Sequence, residues 1–243
     1  YNNKMLFKKI SFVCAGLLIV IVLFSISCSK NTESDMTLKN MSIDQILKKT
    51  KIAMRNLNSY QLDLKHSSGT GTPVGNTGLT LSEASATINL PDDIYIEGNL
   101  LFGNIVLKTK YIKKKSDSYY INPITQKWES IEDNSNPLSL AVNGLNEILF
   151  STIDQIESPT IDSSNTNSYI IRGEISPSIF NTLLGETLEK SLETKITIDK
   201  NLYQINKIEI SGQASKYDDP KIIRKLTISN FDKPFDISIP SLK

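Results

Sequence analysis

Residues 49–65 read KTKIAMRNLNSYQLDLK, and the hydrophobic period changes within them. Up to Asn58 the apolar positions recur at helical spacing. Ile43, Ile46, Leu47, Thr50, Ala53, Met54 and Leu57 fall on one face, with Lys48, Lys49, Lys51 and Arg55 largely elsewhere. Ser42 is a good N-cap, and Gln45 three residues later can close a capping box. From Tyr60 the period becomes two. Tyr60, Leu62 and Leu64 alternate with Gln61, Asp63 and Lys65, the pattern of a strand with one dry and one wet face.

The same alternation recurs downstream. Ala84, Ala86, Ile88 and Leu90 share a face before a turn at Pro91-Asp92-Asp93. Ile94 and Ile96 alternate with Tyr95 and Glu97; Ile105 and Leu107 face one way, Lys108 and Lys110 the other. YYINPITQKWESI (119–131) reads as a hairpin turning around Pro123 to Lys127. A second helix is expected from about Pro137 to Phe150, and a strand near Tyr169 to Arg172. Ser176-Pro177 supplies a cap and a first-turn proline for a third helix, striped by Ile179, Leu183, Leu184 and Leu188. TKITID, KIEIS and KLTISNF are closing strands, with a turn at Asp199-Lys200-Asn201, and the chain finishes in DKPFDISIP. Few strands are apolar on both faces, which argues against a doubly wound parallel sheet. The expectation is α+β: a curved antiparallel β-sheet with about three α-helices in its concavity.

Before this domain, Lys4, Lys8 and Lys9 precede an almost uncharged run from Ile10 to Ser27, the layout of a secretory signal. The chain opens on Tyr1, and Met5 is the expected initiator. Cys28, with Ser27 before it and Ser29, Lys30 and Asn31 after, resembles the lipobox of bacterial lipoproteins, although Ser25 stands where a leucine-like residue is usual. That resemblance implies a diacylglyceryl group on the Cys28 thiol and cleavage just before it. An uncleaved anchor and simple secretion are the alternatives. The expected division is therefore a signal over 1–27, a lipidated cysteine and flexible tether over 28–40, and one domain over 41–243.

The composition excludes several functions. Of two cysteines, Cys14 lies inside the apolar run and Cys28 at its end, so the domain has no disulfide framework, thiolate metal site or cysteine nucleophile. A net charge of +1 gives no support to nucleic-acid binding. Lys113 to Lys115 form the one tight basic run, read as a solvated strand end. The single histidine, His66, is read as a surface residue beside a glycine-rich loop, Ser67 to Gly78, that lacks the GK[ST] of a phosphate cradle. Asp92-Asp93 and Asp218-Asp219 flank prolines and read as turns; Trp128 reads as core or rim packing. No cofactor and no enzymatic activity are expected.

Taken in order, several segments resemble the LppX/LprA/LprF/LprG family of lipoproteins. They are the helix running into a strand in KTKIAMRNLNSYQLDLK, the strand closing on proline in SATINLPDDI, and the strand, turn and single tryptophan of SYYINPITQKWESI. SLETKITIDKNLYQINKIEISG is similar to the family's late strand pair, and LTISNFDKPFDISIP to its C-terminal signature. The tryptophan often placed before the Ile198-Asp199 segment is absent. The resemblance implies a half-barrel cradling helices around a hydrophobic cavity, a fold also similar to LolA and LolB. It implies a monomer, lipid-anchored on the outer side of the cytoplasmic membrane, that binds acylated lipid or glycolipid and moves it outward, with a membrane transporter as a further partner. By inward parity the sheet would line the cavity with Leu62, Leu64, Ile88, Ile94, Ile96, Ile105 and Leu107. The helices would add Met54, Leu57, Leu145, Leu149, Leu183 and Leu184. An ordinary dry core is the competing reading of these residues. A sensor or assembly lipoprotein with a protein partner is the competing function.

Overall fold

A computed structural model describes residues 41–132, 137–162 and 165–242. The expected signal, Cys28 and tether lie outside the described residues. Ser42–Lys243 forms one compact unit. Among the described residues, that unit carries every helix and strand and every buried hydrophobic side chain.

Twelve strands form one antiparallel sheet. They are β1 (Ser59–Ser68), β2 (Thr72–Val74), β3 (Leu79–Asn89), β4 (Asp93–Phe102), β5 (Ile105–Lys114), β6 (Asp117–Ile121) and β7 (Trp128–Ser130) in the first part. The second part supplies β8 (Glu157–Asp162), β9 (Ser168–Ile175), β10 (Leu192–Asp199), β11 (Ile205–Ser211) and β12 (Ile223–Ser229). The order is β7-β6-β5-β4-β3-β1-β12-β11-β10-β9-β8, with β2 beside β3. The curved sheet is unclosed, since its edge strands β7 and β8 do not pair with each other. The pairing β1–β12, Leu62 against Ile228 and Leu64 against Leu226, joins the first strand to the last and fuses both halves.

Three helical segments cover one face: α1 (Ile43–Arg55), α2 (Pro137–Gln155) and a 3₁₀ turn, Pro177–Phe180, continuing into α3 (Asn181–Leu184). The capping box of α1 forms as expected, Ser42 Oγ accepting from Gln45 N at 3.2 Å and Gln45 Oε1 accepting from Ser42 N at 3.1 Å. Helix α2 extends to Gln155, beyond the expected Phe150, and buries Thr152 and Ile153 in its added turn. The third helix is shorter than its stripe suggested. Gly185, at φ +77, ends it, and Leu188 is left partly exposed outside.

Helices and sheet meet through small residues. A β-carbon on Gly144 of α2 would lie 2.8 Å from Leu183 Cβ, so only glycine lets α2 and α3 approach this closely. Tyr60 on β1 donates its hydroxyl to Asn146 Oδ1 on α2 at 3.0 Å, and burial raises the pKa of that hydroxyl. Met54 of α1 sits against the start of β11, its sulfur accepting from Ile205 N at 3.3 Å.

Two further readings are corrected and a third is extended. The glycine-rich loop contains strand β2, paired to β3 through Thr72–Leu81 and Val74–Leu79. His66 is half-buried, hydrogen-bonded to Ser82 O at 2.8 Å and Thr72 Oγ1 at 2.9 Å. Asp218 does lie in a turn, accepting from Ala214 N and Ser215 N at 2.8 and 3.1 Å, but it is buried and ion-paired with Arg224. A local turn motif carries no information about a partner six residues further along another element.

Candidate functional site: the apolar inner face

The inner face is built by strand parity. In β1, Tyr60, Leu62 and Leu64 are buried, while Gln61 and Asp63 are half-buried and Lys65 is exposed. Antiparallel register carries that parity across the sheet: Leu62 lies beside Ala86, Ala86 beside Ile96, and Ile96 beside Tyr111. The opposite parity forms an outer face of polar side chains. A cleft of about 570 Å³ there is lined by Asp63, Lys65, Glu83, Glu97, Lys108 and Lys110 among others. A second of about 520 Å³, nearer the other edge, is lined in part by Arg172, Lys195 and Glu209. Glu209 lies 3.2 Å from Lys195 and 3.4 Å from Lys207. Desolvation raises its pKa, but the two lysines lower it further, so the net direction is down.

The expected liners sort by position along the strands. Met54, Leu57, Leu62, Leu64, Ile88, Ile94, Ile96, Leu145, Leu149, Leu183 and Leu184 are each 7% exposed or less, packed in one aliphatic layer between helices and sheet. Leu107 is half-buried. Ile105 does not belong with them. Its register with Phe102 places it on the inner-face parity, yet it is 60% exposed. Parity sets which face a side chain takes; only the extent of the helix layer sets whether that face is covered, and the β4–β5 hairpin runs past the cover.

Residues not singled out from sequence complete the layer. Ile196, Ile198, Ile208, Ile210, Leu226 and Ile228 from the closing strands are 2% exposed or less. The alternation in TKITID, KIEIS and KLTISNF carried the signal for all of them. Tyr60 and Tyr111 place hydroxyls at this layer, the latter 3.0 Å from Ser118 Oγ. Thr50 Oγ1 is buried without a hydrogen-bond partner among the described residues. The chemistry available at this layer is apolar contact with sparse hydroxyls. Among the described residues no cluster of three or more His, Cys, Asp or Glu could hold a metal ion. Nor is any described helix long and apolar enough to cross a membrane.

The half-barrel and its helix cover can be set beside solved structures. LprF from Mycobacterium bovis superposes with a TM-score of 0.58 at 15% identity, covering 81% of this chain and 96% of LprF. The Mycobacterium tuberculosis lipoprotein LppX superposes with a TM-score of 0.54 at 11% identity, covering 81% of this chain and 100% of LppX. The chain has the LprF and LppX fold. At such low identity the shared property is the fold itself. No family model and no curated protein matches the sequence. The superposition spans nearly all of LprF and LppX.

Proposed function

We propose that this protein is an extracytoplasmic lipoprotein that binds acylated lipid or glycolipid between its helices and the inner face of its sheet, and carries it toward the outer envelope. Residues 1–27 would be the signal, Cys28 the lipid-bearing anchor, 28–40 the tether and 41–243 the carrier. The observation that carries this reading is the continuous aliphatic layer on a fold shared with LprF and LppX along nearly their full length. Each CH₂ buried on binding contributes about 0.8 kcal/mol, so a long acyl chain leaves a membrane at a useful rate only if a protein offers comparable burial. Such a carrier needs no nucleophile and no metal.

The inner layer is already packed with its own side chains. An acyl chain is accommodated by separating the helices from the sheet, exchanging one set of aliphatic contacts for another. The same packing supports a second reading, in which the core stays dry and the partner is a protein.

Native mass spectrometry of residues 29–243, followed by organic extraction, tests both. A solvent-releasable adduct of lipid mass is expected. A clean polypeptide mass with no uptake from supplied lipids would sink the carrier reading. A stoichiometric co-purifying protein without lipid would favour the second.

A further inference from the structure

We infer that the paired hairpin tips at one end of the half-barrel form a second membrane contact, a rim that docks the domain on a lipid bilayer surface. Two tips make this rim. The β4–β5 hairpin turns at Gly103-Asn104, with Gly103 at φ +58. There Phe102, Ile105 and Val106 are 55%, 60% and 53% exposed. The β6–β7 hairpin turns through Asn122 to Lys127, and Ile124 at its tip is 86% exposed.

Register puts both tips on the same end of the sheet. Strand β6 runs antiparallel to β5, Tyr120 beside Tyr111, and Thr109 Oγ1 donates to Ile121 O at 2.7 Å. The residues following Ile121 therefore run alongside those preceding Thr109. The β6–β7 tip is an ordered turn: Asn122 Oδ1 accepts from Ile124 N and Thr125 N at 2.9 and 3.2 Å.

The strand alternation fails at this end of the β4–β5 hairpin. Along β4 and β5 the outer face carries Glu97, Asn99, Lys108 and Lys110. Beyond Asn99 and Lys108, toward the tip, Leu100, Leu101, Phe102, Ile105, Val106 and Leu107 make both faces apolar. Leu100 is buried and Leu101 and Leu107 are half-buried, but Phe102 and Ile105 on one face and Val106 on the other stay exposed, and such exposure at a hairpin end has no stability reason in water. What sits behind the tips selects the occupant. Lys108 and Lys127 are exposed one step back from each apolar tip, and Trp128 follows Lys127. Apolar tip first, then lysine and tryptophan, is the depth order of a bilayer interface with anionic headgroups. A flat protein interface would place these residues on one face rather than on projecting turns.

The docking rests on the carrier reading only for its purpose, the transfer of cargo at a membrane. Trp128 is the only tryptophan, so it reports on the rim directly. Residues 41–243 would be mixed with phosphatidylglycerol/phosphatidylcholine vesicles, with and without brominated acyl chains, and compared with the double variant Val106→Asp, Ile124→Asp. Both positions are exposed, so the fold should persist, checked by circular dichroism. Expected are co-sedimentation of the unmodified domain, quenching of Trp128 by brominated lipid, and at least about tenfold weaker vesicle binding by the variant. Uptake of lipid from detergent micelles should be unchanged in the variant. Absent vesicle binding, equal binding by the variant, or binding without quenching would each overturn the inference. So would a concentration-dependent dimer that the variant loses while vesicles are ignored, which would assign the rim to a second copy. Docking without micellar uptake would instead count against the carrier reading alone.

Discussion

Arg224 Nη2 lies 2.5 Å from Asp218 Oδ1, and both side chains are essentially solvent-free at 1% and 0% exposure. The guanidinium also donates through Nε to Thr72 Oγ1 at 2.8 Å and through Nη1 to Gly212 O at 3.3 Å. It lies over the Phe180 ring at 4.8 Å. Burial pulls its pKa below the ordinary arginine value, and Asp218 opposes that. One ion pair thus ties strand β12, the β11–β12 connection, β2 and the 3₁₀ turn together. Asp218→Ala leaves the arginine buried without its counter-ion and is expected to cost about 3–5 kcal/mol, measured by urea denaturation. The double variant Asp218→Ala, Arg224→Met should lose less than the sum of the singles. Simple additivity would mean that the pair is not coupled.

His66 links into the same network, and its partners assign its proton. Ser82 O can only accept, so Nδ1 carries the hydrogen and Nε2 accepts from the Thr72 hydroxyl. Burial, first, and nearby Arg224 hold the imidazole pKa below the ordinary 6.5, against the opposing hydrogen bond to Ser82 and the charge of Asp218. A depressed folded pKa means that the unfolded chain binds the proton more readily. The stability contribution is full above about pH 6.5, the unfolded pKa, and is lost as pH falls through the lower folded value. The melting temperature should drop between pH 7.5 and pH 5 by more in the native domain than in His66→Asn. An equal drop in both would remove His66 from the account.

Gly144 and Leu183 set the spacing between α2 and α3. Gly144→Ala places a methyl group 2.8 Å from Leu183 Cβ and 3.3 Å from the backbone of Leu183, which sits in a short helix stopped by Gly185. Overpacking here is expected to cost about 1–3 kcal/mol despite alanine's better helix propensity. A variant as stable as the parent would show that α3 can retreat freely.

Ile96 lies at the centre of the inner face, fully buried between Ala86 and Tyr111. Ile96→Ala should lower stability by about 2–5 kcal/mol, through lost contacts and the cavity left behind. Supplied acyl lipid should then raise the variant's melting temperature by more than the parent's, because hydrocarbon refills the space. No differential rescue would place the bound lipid away from Ile96.

Much of the fold was legible because its signals are local. The change of period inside residues 49–65 gave helix then strand, and Ser42 with Gln45 gave the helix start. Repeated alternation with turns at Pro91 and at Asp199 gave an antiparallel sheet, and strand parity together with the helical stripes put eleven of the thirteen candidate liners in the buried layer. The failures share one cause. Leu188 continued a helical stripe, but Gly185 turned the chain before it was reached. Thr72, in a glycine-rich segment, looked like loop until pairing with Leu81 made it a strand.

What the sequence by itself determined is each element's period, caps and turns, and hence which side chains share a face. These depend on neighbours a few residues away. What only the tertiary structure decided is which of those faces are covered and which charges meet. Ile96 and Ile105 have the same inward parity, yet one is fully buried and the other 60% exposed, because the helix layer ends between them. Asp218 reads in the sequence as a turn residue, and becomes half of a buried pair with Arg224 only where β12 passes the turn that holds the carboxylate. Solvent access and long-range pairing are properties of the assembled surface, which no short window of sequence contains.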